Sequence, residues 1–171
     1  RKERASALVD MPLPTRKTEN WKYSSKYLKL ADDMAISLPA EGKTGNSLAV
    51  PGYKVVFING VMIPEASEYP DLDGIEILSF NDLANGEAEA LSAKLGSTLN
   101  HDQAQFARLN GARFEDGLFI RLKPGAVLDQ PLFIIHETSA DASGSAYPRI
   151  YVEAGANSQL TLVEEYTSSG E

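Results

Sequence analysis

The spacing of apolar residues changes character near Phe114. Upstream of it two periods are mixed. Residues 1–9 read as the tail of a helix, and Met11-Pro12-Leu13-Pro14 ends it, because proline lacks a donor N–H and disfavours helix in the residue before it. Thr18 can cap a short helix bearing Trp21, Tyr23, Tyr27, Leu28 and Leu30. Residues 40–50 are rich in Gly, Ser, Thr and Asn and read as a loop. The β-branched and aromatic run 53–58, then Asn59-Gly60, then 61–63 predicts a hairpin, since Asn-Gly tolerates the positive φ angles of a tight turn. Residues 75–80 predict another short strand. Ser79 to Asp82 match a capping-box pattern ahead of a helical stretch at 82–95, and Asn100 with Gln103 does the same for a helix at 101–110.

Downstream of Phe114 helical periodicity disappears. Strand-like segments at 118–122, 132–136, 150–153 and 159–166 follow one another through turns of Gly, Pro, Asp and Ser. A shift of 30 residues lays Ile120 on Ile150, Leu122 on Val152, Gly125-Ala126 on Gly155-Ala156, and Leu132 on Leu162. A strand–turn–strand unit repeated in this way is the signature of a β-solenoid, whose units bury their apolar face only by stacking. Two units are visible where at least three are normally needed. The pattern therefore predicts a chain that stops inside a solenoid. It also predicts that a 150–166 hairpin leaves an unpaired apolar edge, open to homodimer formation.

Composition narrows the chemistry. The chain has no cysteine, so a disulfide, a thiolate ligand and a cysteine nucleophile are excluded within its 171 residues, and a cytoplasmic location is expected. No apolar run approaches the roughly 20 residues of a membrane-spanning helix. The net charge of −8 is unevenly spread: residues 1–30 carry +5 and the remainder −13. An acidic body repels phosphate backbones, which argues against nucleic acid as a partner.

Candidate motifs fall short of a site. Residues 37–44 approach a phosphate-binding P-loop, but Ser37 replaces its first Gly, Pro39 interrupts it and no helix pattern follows. His101 and His136, the two histidines, lie in different elements without a third ligand at metal spacing. His136-Glu137 and Glu164-Glu165 are neighbours on strands and so face opposite ways. No Gly-x-Ser-x-Gly elbow is present. Trp21, Tyr23 and Tyr27 beside Lys22, Lys26 and Lys29 fit the buried stripe of an amphipathic helix better than a base-stacking platform. No catalytic, cofactor-binding or metal-ligating residue is assigned.

The motifs nevertheless fall in a specific order. Leu13-Pro-Thr-Arg-Lys-Thr-Glu-Asn-Trp-Lys-Tyr-Ser24 resembles the opening signature of the SufD family, subunits of the SUF iron–sulfur cluster assembly scaffold. Further matches are Val56-Phe-Ile-Asn-Gly60, Leu109-Asn110, Asp116-Gly-Leu-Phe-Ile120, Pro124-Gly125, Pro131-Leu132, Pro148-Arg149-Ile150 and Gly155 through Tyr166, together spanning nearly the whole chain. The Trp-containing opener favours SufD over its paralogue SufB. The resemblance implies a mixed, mostly helical N-terminal domain at 1–112 and the start of a parallel β-helix at 113–171, truncated. It implies a non-enzymatic subunit that works with a SufB-like paralogue and a SufC-like ATPase, the cluster being handled by the parent complex and not by this segment. The family's cluster-site residues and SufC-docking helices lie beyond residue 171, so none is carried over.

The expected fold is therefore an α+β N-terminal region, helices with a small β-hairpin, followed by the first coils of a parallel β-helix. The expected function is architectural, within a SUF scaffold, with no cofactor in this segment and no membrane contact. Two readings of other classes compete. One is a fragment of a carbohydrate-active β-helix enzyme, which needs clustered acids on one face. The other is an adaptor that binds an acidic partner through residues 16–29.

Overall fold

The structure is a computed structural model that describes residues 15–23, 50–69, 71–97, 105–139, 142 and 144–169. The helix tail at 1–9, the P-loop-like stretch at 37–44, the loop at 40–50 apart from Val50, Tyr27, Leu28, Leu30, Lys26, Lys29, Asn100 and His101 lie outside the described residues.

The described part is mixed α/β. Its strands are β1 (Tyr53–Ile58), β2 (Val61–Met62), β3 (Ile75–Ser79), β4 (Leu118–Leu122), β5 (Leu132–Thr138), β6 (Ile150–Ala154) and β7 (Leu162–Ser168). Its α-helices are α1 (Asn85–Lys94) and α2 (Gln105–Arg113). The strands form two mixed sheets, ordered β2-β1-β5-β7 and β3-β4-β6. Both sheets draw strands from either side of residue 113.

The sequence-adjacent strands β4 and β5 are not partners. β4 pairs in parallel with β6, Leu118 opposite Ile150 and Leu122 opposite Ala154. β5 pairs in parallel with β7, Leu132 opposite Leu162 and His136 opposite Tyr166. β1 lies parallel to β5 on its other side. Consequently 150–166 is not a hairpin: β6 and β7 belong to different sheets, because each follows the strand one unit earlier in the chain.

The repeat is also finer than a single shift. The offset is 30 residues between β5 and β7 but 32 between β4 and β6. The uniform shift thus misplaced the first arm by two residues. Side chains alternate with period two along a strand, so a two-residue slip keeps every apolar position on its own face and leaves the pattern looking intact. The connecting turns stack as well: the Gly155 N–H donates to the Leu122 carbonyl, Gly125 to Ala156 and Gln159 to Ala126, each at 2.9 Å.

The core fills the space between the two sheets. Val55, Phe57, Leu132 and Ile134 from one face meet Ile75, Ile77, Leu118, Ile120 and Leu122 from the other. The opposite face of β1 and β5 is covered too, with Val56, Ile58, Phe133 and Ile135 under Ile63 and Ala66. Burial on both faces is why these strands read as continuous apolar runs. Each fully buried aliphatic or aromatic side chain stabilises by about 1.5–3 kcal/mol. On the outer face of the second sheet, Leu91 of α1 packs with Leu83 and Phe119.

The two sheets differ at their ends. At one end β2 runs antiparallel to β1 and β3 antiparallel to β4. At the other, β6 and β7 each have one strand neighbour among the described residues. The Asn59-Gly60 turn joins β1 to β2 with φ of 50° and 87°, as its sequence predicts. Helix α1 begins later than expected. Residues Phe80–Asp82 form a 3-10 turn instead, because the Ser79 hydroxyl accepts from the Asn81 N–H and not from the third helical position. Thr18 precedes only a 3-10 turn, Glu19–Trp21, and its side chain does not cap it.

Candidate functional site

Three polar constellations stand out, and the ordered sequence motifs account for the first. Asp116, only 1% exposed, sits where β2, β3 and β4 converge. Its carboxylate accepts hydrogen bonds from the Met62 N–H (3.0 Å), the Ser79 hydroxyl (2.7 Å) and the Gly117 N–H (2.8 Å). A buried carboxylate is tolerated when several donors satisfy its lone pairs. The Asn59 side chain likewise joins the β1–β2 turn to the end of β5, donating to the Ser139 hydroxyl (2.8 Å) and accepting from the Ser139 N–H (3.1 Å). Asn110 donates to the Pro148 carbonyl at 2.7 Å. These residues hold strands and turns in register.

The second constellation centres on Arg121, on the outer face of β4. Its guanidinium reaches Glu153 on β6 (3.0 Å), Glu76 on β3 (2.8 Å) and Glu87 on α1 (3.3 Å), and lies 4.6 Å from the centre of the Phe119 ring. Lys94 adds a 2.5 Å contact to Glu153. Hydrogen bonds from Lys94 and Arg121 hold the Glu153 carboxyl below the usual carboxylate range. The network ties a helix to three strands.

The third lies across the β5–β7 seam. Phe57, His136 and Tyr166 form a column, with ring centres 5.4 Å and 4.6 Å apart. His136 Nε2 is 3.4 Å from the Glu164 carboxylate, which accepts a 2.8 Å hydrogen bond from the Tyr166 hydroxyl. Burial pushes the His136 imidazole below its usual range, and Glu164 opposes that only in part. Partial desolvation and the bond to Glu164 push the Tyr166 hydroxyl up to about 12. On the opposite face of the same seam, Thr167 donates to the buried Glu137.

The structure thus separates His136 from Glu137 and Glu164 from Glu165, as period-two alternation requires. What sequence reading missed is the pairing across strands: register places Ile134 beside Glu164 and His136 beside Tyr166, each pair 30 positions apart, and so brings His136 to Glu164, 28 positions away. The shift of 30 that aligns Leu132 with Leu162 contained that signal. Trp21 packs on Phe106 of α2 with ring centres 4.8 Å apart, while Tyr23 is 80% exposed beneath Lys22. Among the described residues no group of three or more His, Cys, Asp and Glu side chains is arranged to hold a metal ion, and no helix is long and apolar enough to cross a membrane.

Comparison with known proteins bears on the whole chain. No family model matches it. It is 28% identical over 173 residues to an iron–sulfur cluster assembly SufBD family protein of Synechocystis sp., a match covering 95% of this chain and 37% of that protein. It is 25% identical over 171 residues to the iron–sulfur cluster assembly protein SufD of Escherichia coli, covering 94% of this chain and again 37% of the relative. The chain therefore spans little more than a third of the length of the curated relatives it matches. Both similarities support the SufD-like relationship indicated by the ordered motifs.

Proposed function

We propose that this chain is an architectural segment of a SUF-type scaffold subunit, working in iron–sulfur cluster assembly without catalysing a reaction itself. The observation that carries the reading is the parallel stacking of β4–β5 on β6–β7, in a chain similar over nearly its full length to SufD. In this reading the two units are the opening coils of a parallel β-helix. Antiparallel β2 and β3 close its first end, and further coils of the same protein continue from the edges of β6 and β7. A solenoid with one closed and one extending end matches the need for capped termini and at least three units.

The chemistry of the segment fits a supporting role. Among the described residues Asp116, Arg121, Lys94 and Glu153 are engaged in strand and helix ties, and the chain contains no thiolate to ligate a cluster. The cluster is cargo of the larger assembly, whose other members are a SufB-like paralogue and a SufC-like ATPase, in the cytoplasm. Neither the carbohydrate-enzyme reading nor the adaptor reading gains support from these observations.

Affinity purification of the protein carrying this segment, co-expressed with a SufB-like protein and a SufC-like ATPase, tests the proposal. A stable ternary complex is expected. A protein that elutes alone under conditions where the other two associate would count decisively against it.

A further inference from the structure

Asparagine followed by glycine occurs three times, at Asn59-Gly60, Asn85-Gly86 and Asn110-Gly111. In such a pair the glycine nitrogen can attack the carbonyl carbon of the asparagine side chain, because no Cβ on the glycine hinders the approach, provided the backbone can bring the two atoms together. The fold treats the three pairs differently. Asn59 is buried in the β1–β2 turn, its amide bound at both ends to Ser139 (2.8 Å and 3.1 Å), with Gly60 packed against Ala146. Asn110 lies inside α2: its carbonyl accepts from the Phe114 N–H, its side chain donates to the Pro148 carbonyl at 2.7 Å, and Gly111 is buried. Asn85 and Gly86, by contrast, open α1 and are exposed, and a Cβ at Gly86 would meet nothing within 4 Å.

We propose that Asn85-Gly86 is a site of spontaneous deamidation in the folded protein, while the other two pairs are shielded. Attack requires Asn85 to leave helical geometry, and the first turn of α1 is weakly held. Its N-cap residue, Ala84, makes no side-chain cap bond, and the first helical bond runs from the Ala88 N–H to the Ala84 carbonyl. Glycine at the second helical position further favours the unwound backbone. Local fraying of this turn frees Asn85 without unfolding the sheets. The Gly86 nitrogen then bonds to the Asn85 Cγ, gives up its proton to water and expels the side-chain nitrogen as ammonia, closing a succinimide ring. Water opens the ring at either carbonyl. Opening at the side-chain carbonyl leaves an aspartyl residue, whose charge suits the start of a helix. Opening at the backbone carbonyl leaves an isoaspartyl linkage, which adds a methylene to the main chain and displaces Glu87 from Arg121, its partner at 3.3 Å. The reaction consumes only water and is independent of the proposed role in cluster assembly.

Peptide mapping by mass spectrometry tests the inference, on the full protein carrying this segment, aged in mildly alkaline buffer and, as the unfolded reference, in guanidinium chloride. In the folded protein Asn85 is expected to convert at least roughly tenfold faster than Asn59 or Asn110, whereas in denaturant the three should convert at comparable rates. Ala84→Ser, which supplies the missing cap, should slow the folded-state conversion of Asn85 roughly fivefold. Gly86→Ala, whose Cβ meets open space, should suppress it with far-UV circular dichroism unchanged. The proposal is overturned if Asn85 in the folded protein converts no faster than Asn59 or Asn110, or if either Ala84→Ser or Gly86→Ala leaves its rate unchanged.

Discussion

The Ser79 hydroxyl donates a 2.7 Å hydrogen bond to Asp116 across 37 residues of chain, joining the end of β3 to the start of β4. The same carboxylate also accepts from the backbone of Met62 and Gly117, so one buried charge ties three strands at the closed end of the two sheets. Removing it leaves three donors without an acceptor where water does not reach. Asp116→Ala is expected to lower stability by about 3–5 kcal/mol, and Ser79→Ala, which removes one donor, by about 1 kcal/mol. Urea unfolding of the two variants checks this; equal losses would show that Asp116 acts through Ser79 alone.

Stacked turns make a second prediction about glycine. A Cβ at Gly155 would lie 2.5 Å from the Pro124 nitrogen and 2.8 Å from the Leu122 carbonyl, both backbone atoms of the turn beneath. A Cβ at Gly125 meets open space, but the backbone there has φ of 77°. Gly125→Ala should therefore cost about 1 kcal/mol of conformational strain. Gly155→Ala should cost about 1–3 kcal/mol, because it pushes the two turns apart. The variants are distinguished by exchange: only Gly155→Ala should accelerate amide hydrogen exchange at Gln159 and Leu128, whose bonds hold the neighbouring turns together.

These positions show how much of the fold the sequence carried. The runs at 53–58, 118–122 and 132–136 were legible because both faces of their strands are buried, and the Asn59-Gly60 turn because its φ angles demand those residues. Pairing was less legible. Adjacent strands β6 and β7 invite the hairpin reading at 150–166, yet each pairs with a strand some 30 residues earlier, and local periodicity carries no record of partner choice. The two-residue difference between the offsets of the two sheets stayed hidden for a related reason, since it preserves every inward and outward position. The start of α1 was lost to competition: Ser79 spends its hydroxyl on Asn81 and Asp116, leaving no cap for a longer helix. The His136–Glu164 contact follows only once the shift of 30 is read as strand register, which sets His136 on Tyr166 with Glu164 two residues back on the same face.

Burial at the β5–β7 seam sets a pH dependence. The folded state holds the His136 pKa below its ordinary value of 6.5. Below that value the unfolded chain binds the proton more readily than the folded one, so protonation favours unfolding. The His136 contribution is thus fully present above about pH 6.5 and is lost progressively as the pH falls towards the folded-state value. Thermal melts between pH 7.5 and pH 5 should show a decline in wild type that His136→Phe reduces. Identical slopes in the two proteins would assign the decline to the carboxylates instead.

Arg121 makes the final prediction, because its contacts differ in kind. The bonds to Glu76, Glu87 and Glu153 join partly exposed groups, and such pairs contribute about 0.2–1 kcal/mol and weaken with salt. The stacking of the guanidinium on Phe119 and the packing of its stem do not depend on free ions in the same way. Arg121→Ala should therefore destabilise at both low and high salt, with a smaller loss in 1 M NaCl. Lys94→Ala, whose partner Glu153 it shares with Arg121, should lose its effect in high salt altogether. A double-mutant cycle between Arg121 and Glu153 isolates the ionic part, and a coupling that does not shrink with salt would show that the pair is better shielded than its exposure implies.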